Sequence, residues 1–332
     1  MSNPKSSSFS NATDLQSLMI LGMPIWKELS GKRILIAGSS GFIGSHLVET
    51  LLYMNRAMAL KMTLYGLSRS EVPPQGKDFI PVQGDLSTFQ LDESLDFVIH
   101  TAGSSEWLST EQDCSTYMKG SLHLLECAKR ARVKRFLMVS SGAVDDFKLA
   151  EPYQAGYEYR RGKFVVESYM DTFRPFFDPV IARVFSVTGP GLPAHFAIHQ
   201  FIQNGLKGGP IHLWGNGQSL RSYIYTTDLT LWLLTLLLKG KSCVPYNVGS
   251  NEPVTIAGLA KKIAHYFGTT VKQDPGIPQI RNYVPNTLKA KTNLHLEINV
   301  HLDKALTRTC DWFKKNQYGM KVGEIGTIRP ES

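Results

Sequence analysis

The sequence predicts an α/β fold built on a doubly wound parallel sheet, with a smaller C-terminal α/β part. Three observations predict it. From residue 32 to about residue 185, short apolar runs alternate with stretches of helical periodicity, the signature of βαβ units. The first apolar run, Arg33 to Ala37, opens directly into a glycine-rich turn. After Thr188-Gly189-Pro190-Gly191 the texture changes, Gly and Pro become frequent and the segments mix.

The elements follow in order. Arg33 to Ala37 reads as a buried strand, and a helix follows from about 42 to 52. Strands are expected at 62–67, at 79–82 (ending in Gly84-Asp85) and at 96–100. A helix is expected at 118–131, a strand at 136–139, a helix at 157–173 and a strand at 180–185. Residues 31–186 thus read as a dinucleotide-binding Rossmann-type domain. Residues 187–332 read as mainly a substrate domain, with part of it a candidate to rejoin the Rossmann sheet. Residues 1–30 are left as an N-terminal extension whose apolar face packs on the body or on a second subunit.

With 332 residues, 42% hydrophobic and 19% charged, the chain can bury one large core or two medium ones. The four cysteines, Cys114, Cys127, Cys243 and Cys310, are scattered, with no C-x-x-C pair and no Cys/His cluster of metal-ligand spacing. They read as reduced thiols of a cytoplasmic protein without a metal site. The net charge is +8. The densest basic cluster, Lys129, Arg130, Arg132, Lys134 and Arg135, has no interleaved aromatic residues and precedes a strand. It suits a solvated helix end better than a nucleic-acid surface. The longest apolar run, 229–238, is too short to span a bilayer, and the start of the chain lacks a signal-peptide pattern.

The turn after the first strand reads Gly38-Ser39-Ser40-Gly41-Phe42-Ile43-Gly44. Gly38 permits the tight turn, Gly41 lets backbone approach a pyrophosphate, and Gly44 lets helix pack on strand. The helix N-terminus then offers free N–H groups to the anion. An NAD site is expected to end its second strand in an acid, but here Ser68-Arg69 stands there. A hydroxyl and a guanidinium suit a 2′-phosphate, which favours NADP over NAD.

Tyr159 and Lys163 lie four apart on a predicted helix and share one face. A phenol titrates near pH 10, and a nearby ammonium is expected to lower that value, so the pair can act as a general acid/base. Ser141 lies just past a strand's carboxyl end, where open α/β sheets place their sites.

These residues together resemble an extended short-chain dehydrogenase/reductase of the nucleotide-sugar epimerase/dehydratase family over residues 32–315. The resemblance runs through Gly84-Asp85-Leu86, His100-Thr101-Ala102-Gly103, Val139-Ser140-Ser141 and Tyr159-x-x-x-Lys163-x-x-x-Glu167. It continues through Arg183-Val184-Phe185, Gly189-Pro190, Arg221-Ser222-Tyr223-Ile224 with Asp228, and Tyr246-Asn247-Val248-Gly249. It implies an enzyme with Ser141, Tyr159 and Lys163 as catalytic triad. The implied cofactor contacts are Gly38, Ser40, Gly41, Phe42, Ile43, Gly44, Ser68, Arg69, Asp85, Leu86, Thr101, Ala102, Gly103 and Ser140, with Tyr159 and Lys163. The substrate, a nucleoside-diphosphate sugar, is implied to meet Ser104, Ser141, Ser186 and Arg221. Arg221 is expected to pair with the diphosphate, and an ion pair with Asp228 is its structural alternative. A homodimer through a helix pair that includes 157–173 is also implied.

The sequence departs from the family pattern at several positions. Gly142-Ala143 stands where dehydratases carry Asp-Glu, with Asp145 and Asp146 only later, and this weakens dehydration relative to epimerisation. Ser186 and Tyr117 stand where Asn is common. An NADPH-dependent keto-sugar-nucleotide reductase is the alternative reading. A non-catalytic dinucleotide sensor is a further one, against which the complete triad argues.

Overall fold

The computed structural model describes residues 12–70, 75–90, 93–103, 108–145, 147, 156–276 and 281–317. Two helices, α1 (Ala12–Leu21) and α2 (Met23–Leu29), precede the first strand. Then come β1 (Arg33–Ala37), α3 (Phe42–Ala57), β2 (Thr63–Ser68), β3 (Phe79–Gln83), β4 (Phe97–His100), α4 (Glu111–Arg130), β5 (Arg135–Ser141), α5 (Tyr157–Met170) and β6 (Asp178–Val184). The remainder is β7 (Val187–Thr188), α6 (Ala197–Leu206), β8 (Ile211–Trp214), β9 (Leu220–Arg221), β10 (Ile224–Tyr225), α7 (Thr226–Lys239), β11 (Pro245–Val248), β12 (Val254–Thr255), α8 (Ile256–Phe267), β13 (Val271–Asp274), α9 (Leu288–Leu294) and α10 (Leu302–Gln317).

Seven strands form one sheet in the order β11-β6-β5-β4-β1-β2-β3, and every pairing in it is parallel. The expected Rossmann sheet is therefore present. Its central strands carry continuous apolar runs because alternate residues enter different cores. Ile34, Ile36, Leu137 and Val139 pack with α3 and α7 on one face. Leu35, Ala37, Phe136 and Met138 pack with α4 and α5 on the other. A third apolar cluster joins α6, α8 and α10 with β8, and β8 pairs in parallel with β13.

Helix α7 holds the run 229–238 and is buried almost all round. A helix with no polar face must be covered on every side. The N-terminal helices do part of this. Leu18, Trp26 and Leu29 are buried in the same core as α7, and the Trp26 indole donates to the carbonyls of Leu18 and Met19 at 3.0 and 3.2 Å, folding α2 back on α1. A side chain at Gly22 would lie 2.6 Å from the Trp26 ring. The Tyr225 hydroxyl donates to buried Asp14 at 2.9 Å, and Arg308 of α10 pairs with the same carboxylate.

Helix α4 begins about two turns before the expected position. Its start is fixed by a capping box in which the Thr110 hydroxyl accepts from the Asp113 N–H and Asp113 accepts from the Thr110 N–H. The basic cluster runs from the end of α4 through the turn to the first residue of β5, and Lys134 in the turn pairs with Asp96 at 2.8 Å. The four cysteines are free thiols. Among the described residues, no helix is long and apolar enough to cross a membrane.

Two buried histidines join elements. His46 of α3 lies 2.9 Å from the Pro190 carbonyl. His100, at the end of β4, lies 2.9 Å from the Ser121 hydroxyl. Burial lowers their pKa values to about 4 and about 3. Both are neutral when folded and take up protons on unfolding, so their contribution is intact above pH ~6.5 and is lost as pH falls. Each is expected to cost about 2 kcal/mol at pH 5. Urea unfolding at pH 7.5 and 5 should show that loss, and His46→Gln should remove about half of it. An unchanged pH dependence in that variant would contradict the assignment.

Candidate active site

The site lies at the carboxyl ends of β1, β4 and β5, where the strand order reverses about β1, the usual crevice of an open α/β sheet. Strand β1 runs into Gly38, whose φ of +87° is in the left-handed region. A Cβ there would sit 2.8 Å from the Ala102 N, and one at Gly44 would sit 2.1 Å from the Gly38 carbonyl. Gly41 begins α3 with no side-chain cap, which leaves the first-turn N–H groups of Phe42, Ile43 and Gly44 to an anion. Thr101 donates to the carbonyls of Ala37 and Gly38 at 2.8 and 3.2 Å, tying the end of β4 to the turn. The turn fits a dinucleotide pyrophosphate because its close backbone packing admits no side chain at Gly38 or Gly44 and the start of α3 has no side-chain cap.

At the end of β2 the Ser68 and Ser40 hydroxyls lie 2.6 Å apart. Asp85 accepts from the Ser87 N–H and hydroxyl at 2.9 and 2.5 Å. These bonds, with help from the Arg69 charge, hold its carboxyl below the usual range. Leu86 packs beside Gly120, where a Cβ would lie 3.0 Å away. The structure thus brings Ser40, Ser68, Arg69 and Asp85 to one rim of the crevice.

Lys163 is 2% exposed. Its ammonium donates to the carbonyls of Ala102 and Val139, both at 3.1 Å. It lies 4.8 Å from the centre of the Tyr117 ring and 5.9 Å from that of Tyr159. Burial lowers its pKa to about 7, against the opposing charge of Glu167. Tyr159 differs from the sequence expectation, since burial raises its pKa and the Ser141 hydroxyl only partly offsets this. The reason is that the lysine is itself desolvated and spends hydrogen bonds on two backbone carbonyls.

Ser141 is buried at the end of β5, where its hydroxyl accepts from the Ala143 N–H at 3.2 Å. Its neighbour Ser140 points to the other face and donates to Glu167 at 2.5 Å. Arg183 of β6 donates from Nε to both Glu167 oxygens at 3.1 Å and from Nη2 at 2.6 Å. It also pairs with Asp145, so the acid nearest Gly142-Ala143 is engaged by an arginine.

Arg221 and Asp228 do not pair. Asp228 accepts from the Asn299 N–H, the Asn299 amide and the Val300 N–H at 2.9–3.0 Å. The Arg221 guanidinium instead donates to the carbonyls of Leu220 and Arg281 and lies 5.9 Å from the Tyr283 ring. Ser186 is half-buried just past β6, and its carbonyl accepts from the Ile224 N–H at 3.0 Å. Ser104 and Asp146 lie outside the described residues. The sequence reading missed Tyr283, whose hydroxyl is 3.4 Å from that of Ser141. An aromatic residue in a stretch without periodicity gave no signal beyond its own presence.

Residues 34–249 match the sequence model of the NAD dependent epimerase/dehydratase family. The chain belongs to this family. It is 26% identical to human dTDP-D-glucose 4,6-dehydratase, over 89% of this chain and 95% of the relative. It is 25% identical to UDP-glucuronic acid decarboxylase 1 of Xenopus tropicalis, over 87% and 73%. The fold is similar to that of the Bordetella bronchiseptica enzyme WbmF, solved with NAD+ and UDP. There the TM-score is 0.74 and the identity 24%, over 88% of this chain and 95% of that one. The extended short-chain dehydrogenase/reductase resemblance of the sequence thus holds for the family and the fold.

The glycine cradle makes a direct prediction. Gly44→Ala must displace the Gly38 carbonyl, at a cost of about 1–3 kcal/mol. A lower melting temperature and loss of NADH or NADPH binding by fluorescence titration are expected. Unaltered melting and affinity would contradict the close approach.

Proposed function

We propose that the chain oxidises a hydroxyl of a nucleoside-diphosphate sugar to a keto intermediate, in an epimerase/dehydratase-type reaction. The observation that carries this is the placement of Tyr159, Ser141 and the buried Lys163 beside the glycine cradle. Family membership and the nucleotide-sugar names of the relatives support it. A bound nicotinamide supplies the hydride acceptor. Tyr159 takes the proton of the sugar hydroxyl, and Ser141 hydrogen-bonds the same oxygen. Lys163 stabilises the Tyr159 phenolate that accepts this proton. Ser186 and Ser104 contact the substrate, and the Arg221 guanidinium meets the diphosphate.

Return of the hydride to the other face of the keto sugar fits the site better than loss of water. No acid follows Ser141 directly, and Asp145 is paired with Arg183. A homodimer through a helix pair that includes α5 and a cytoplasmic location belong to the same reading.

One observation favours a second reading, an NADPH-dependent keto-sugar-nucleotide reductase. Strand β2 ends in Ser68-Arg69 with no carboxylate, and Arg69 lies near Asp85 on the same rim. This composition favours a 2′-phosphate.

Denaturing the purified protein and identifying the released dinucleotide by chromatography separates the two. Tightly held NAD supports the recycling enzyme and removes the Ser68-Arg69 argument. NADP(H), or selective NADPH binding by an empty protein, supports the reductase. In either case Tyr159→Phe is expected to lower turnover about 10²–10⁴-fold, the usual contribution of a general acid/base. Full activity in that variant would overturn the catalytic assignment.

A further inference from the structure

Tyr283 reaches the site on a strap of chain that is pinned along its length. Its N–H donates to the Leu220 carbonyl at 2.9 Å, and Tyr283 bridges to Arg221 of β9. Before it, the Arg281 N–H donates to the Ser219 hydroxyl at 3.1 Å, and the Asn282 side chain accepts from the Leu220 N–H at 3.0 Å. After it, Pro285 is buried against Gly249, where a Cβ would lie 2.9 Å away. The Asn247 amide also donates to the Asn286 carbonyl at 3.2 Å.

The ring is held as firmly as the backbone. It stacks on Phe185 with centroids 4.6 Å apart, and the Arg221 guanidinium lies over it. Phe185 in turn fills the space beside Ser141, since a Cβ at Gly142 would lie 2.3 Å from its ring. The Phe185–Tyr283 pair therefore walls the site beside Ser141 and delivers a second phenol to the Ser141 hydroxyl, which Tyr159 also meets. Burial raises the pKa of this phenol, so it keeps its proton through the neutral range.

We infer that Tyr283 is a positioning residue of the reaction: its hydroxyl donates to Ser141 and fixes the direction in which Ser141 meets the sugar oxygen. The inference rests on the proposed oxidation of a nucleotide sugar. Tyr283 acts through Ser141, and the same ring supports the Arg221 guanidinium, so one side chain links the reacting end of the sugar to its diphosphate end.

Tyr283→Phe keeps the stack on Phe185 and the contact with Arg221 and removes only the hydroxyl. With UDP-glucose and dTDP-glucose as probes and product followed by chromatography, kcat should fall about 10-fold, the net contribution of one neutral hydrogen bond. KM and UDP affinity should stay within about 2-fold, because the lost bond serves the transition state. The decisive background is Ser141→Ala, in which Tyr283→Phe should cost nothing further. An unchanged kcat, or a loss that multiplies fully with that of Ser141→Ala, overturns the inference. If Tyr159→Phe abolishes turnover while Tyr283→Phe leaves it intact, the proposed function stands and this inference alone falls. If the unaltered protein turns over no sugar in a panel of UDP- and dTDP-hexoses that includes UDP-glucuronic acid, the nucleotide-sugar reading falls and takes this inference with it.

Discussion

Lys163 is fully buried, and its Nζ donates to two backbone carbonyls at the ends of β4 and β5. An ammonium out of water must be hydrogen-bonded or lose its proton, and its pKa of about 7 places it at that balance. The constraint reaches outward. It holds Ala102 beside Gly38, which fixes the glycine cradle. It holds α5 against the sheet and so sets where Tyr159 stands over the crevice. It also draws the Tyr117 ring across the ammonium as a π-face contact, where the family pattern has an amide.

Beneath the site, Glu167 gathers Ser140, Arg183 and Lys163. It lies one helical turn beyond Lys163 on α5, so the carboxylate both raises the lysine pKa and pins the helix to β5 and β6. Removal of one partner from such a buried pair is costly because the other charge is left uncompensated. The pairing of Asp145 with Arg183 belongs to the same network. Structural need therefore engages the acid that elimination chemistry would want free.

Much of this was legible in the sequence. The parallel strands announced themselves as apolar runs because both faces of the sheet are covered. The cradle was readable because close packing at Gly38 and Gly44 admits no side chain. The start of α4 was written in Thr110 and Asp113, but the apolar positions that define its buried face come later and drew the boundary inward. Helices α1 and α2 read from the sequence as an extension whose apolar face packs on the body or on a second subunit, and they pack on the body. Their role follows from the all-round burial of α7, which no local pattern at residues 12–29 reveals. The direction of the Tyr159 shift was misjudged because spacing gives proximity to Lys163 but not the burial of both groups. Tyr283 was out of reach, since its contact with Ser141 spans 142 residues of chain and depends on Phe185 filling the space over Gly142.

The central claim is that Lys163 tunes Tyr159 once the crevice is filled. Phenolate absorbance, taken as the difference between the unaltered protein and Tyr159→Phe, isolates this one tyrosine among thirteen. It is to be titrated with and without saturating dinucleotide, in the native background and with Lys163→Met. The account predicts ionisation above the ordinary value of about 10 in the free protein. A fall well below that value is predicted on dinucleotide binding, and most of the fall should be lost in Lys163→Met. A Tyr159 that ionises at the same pH with and without Lys163 would contradict it.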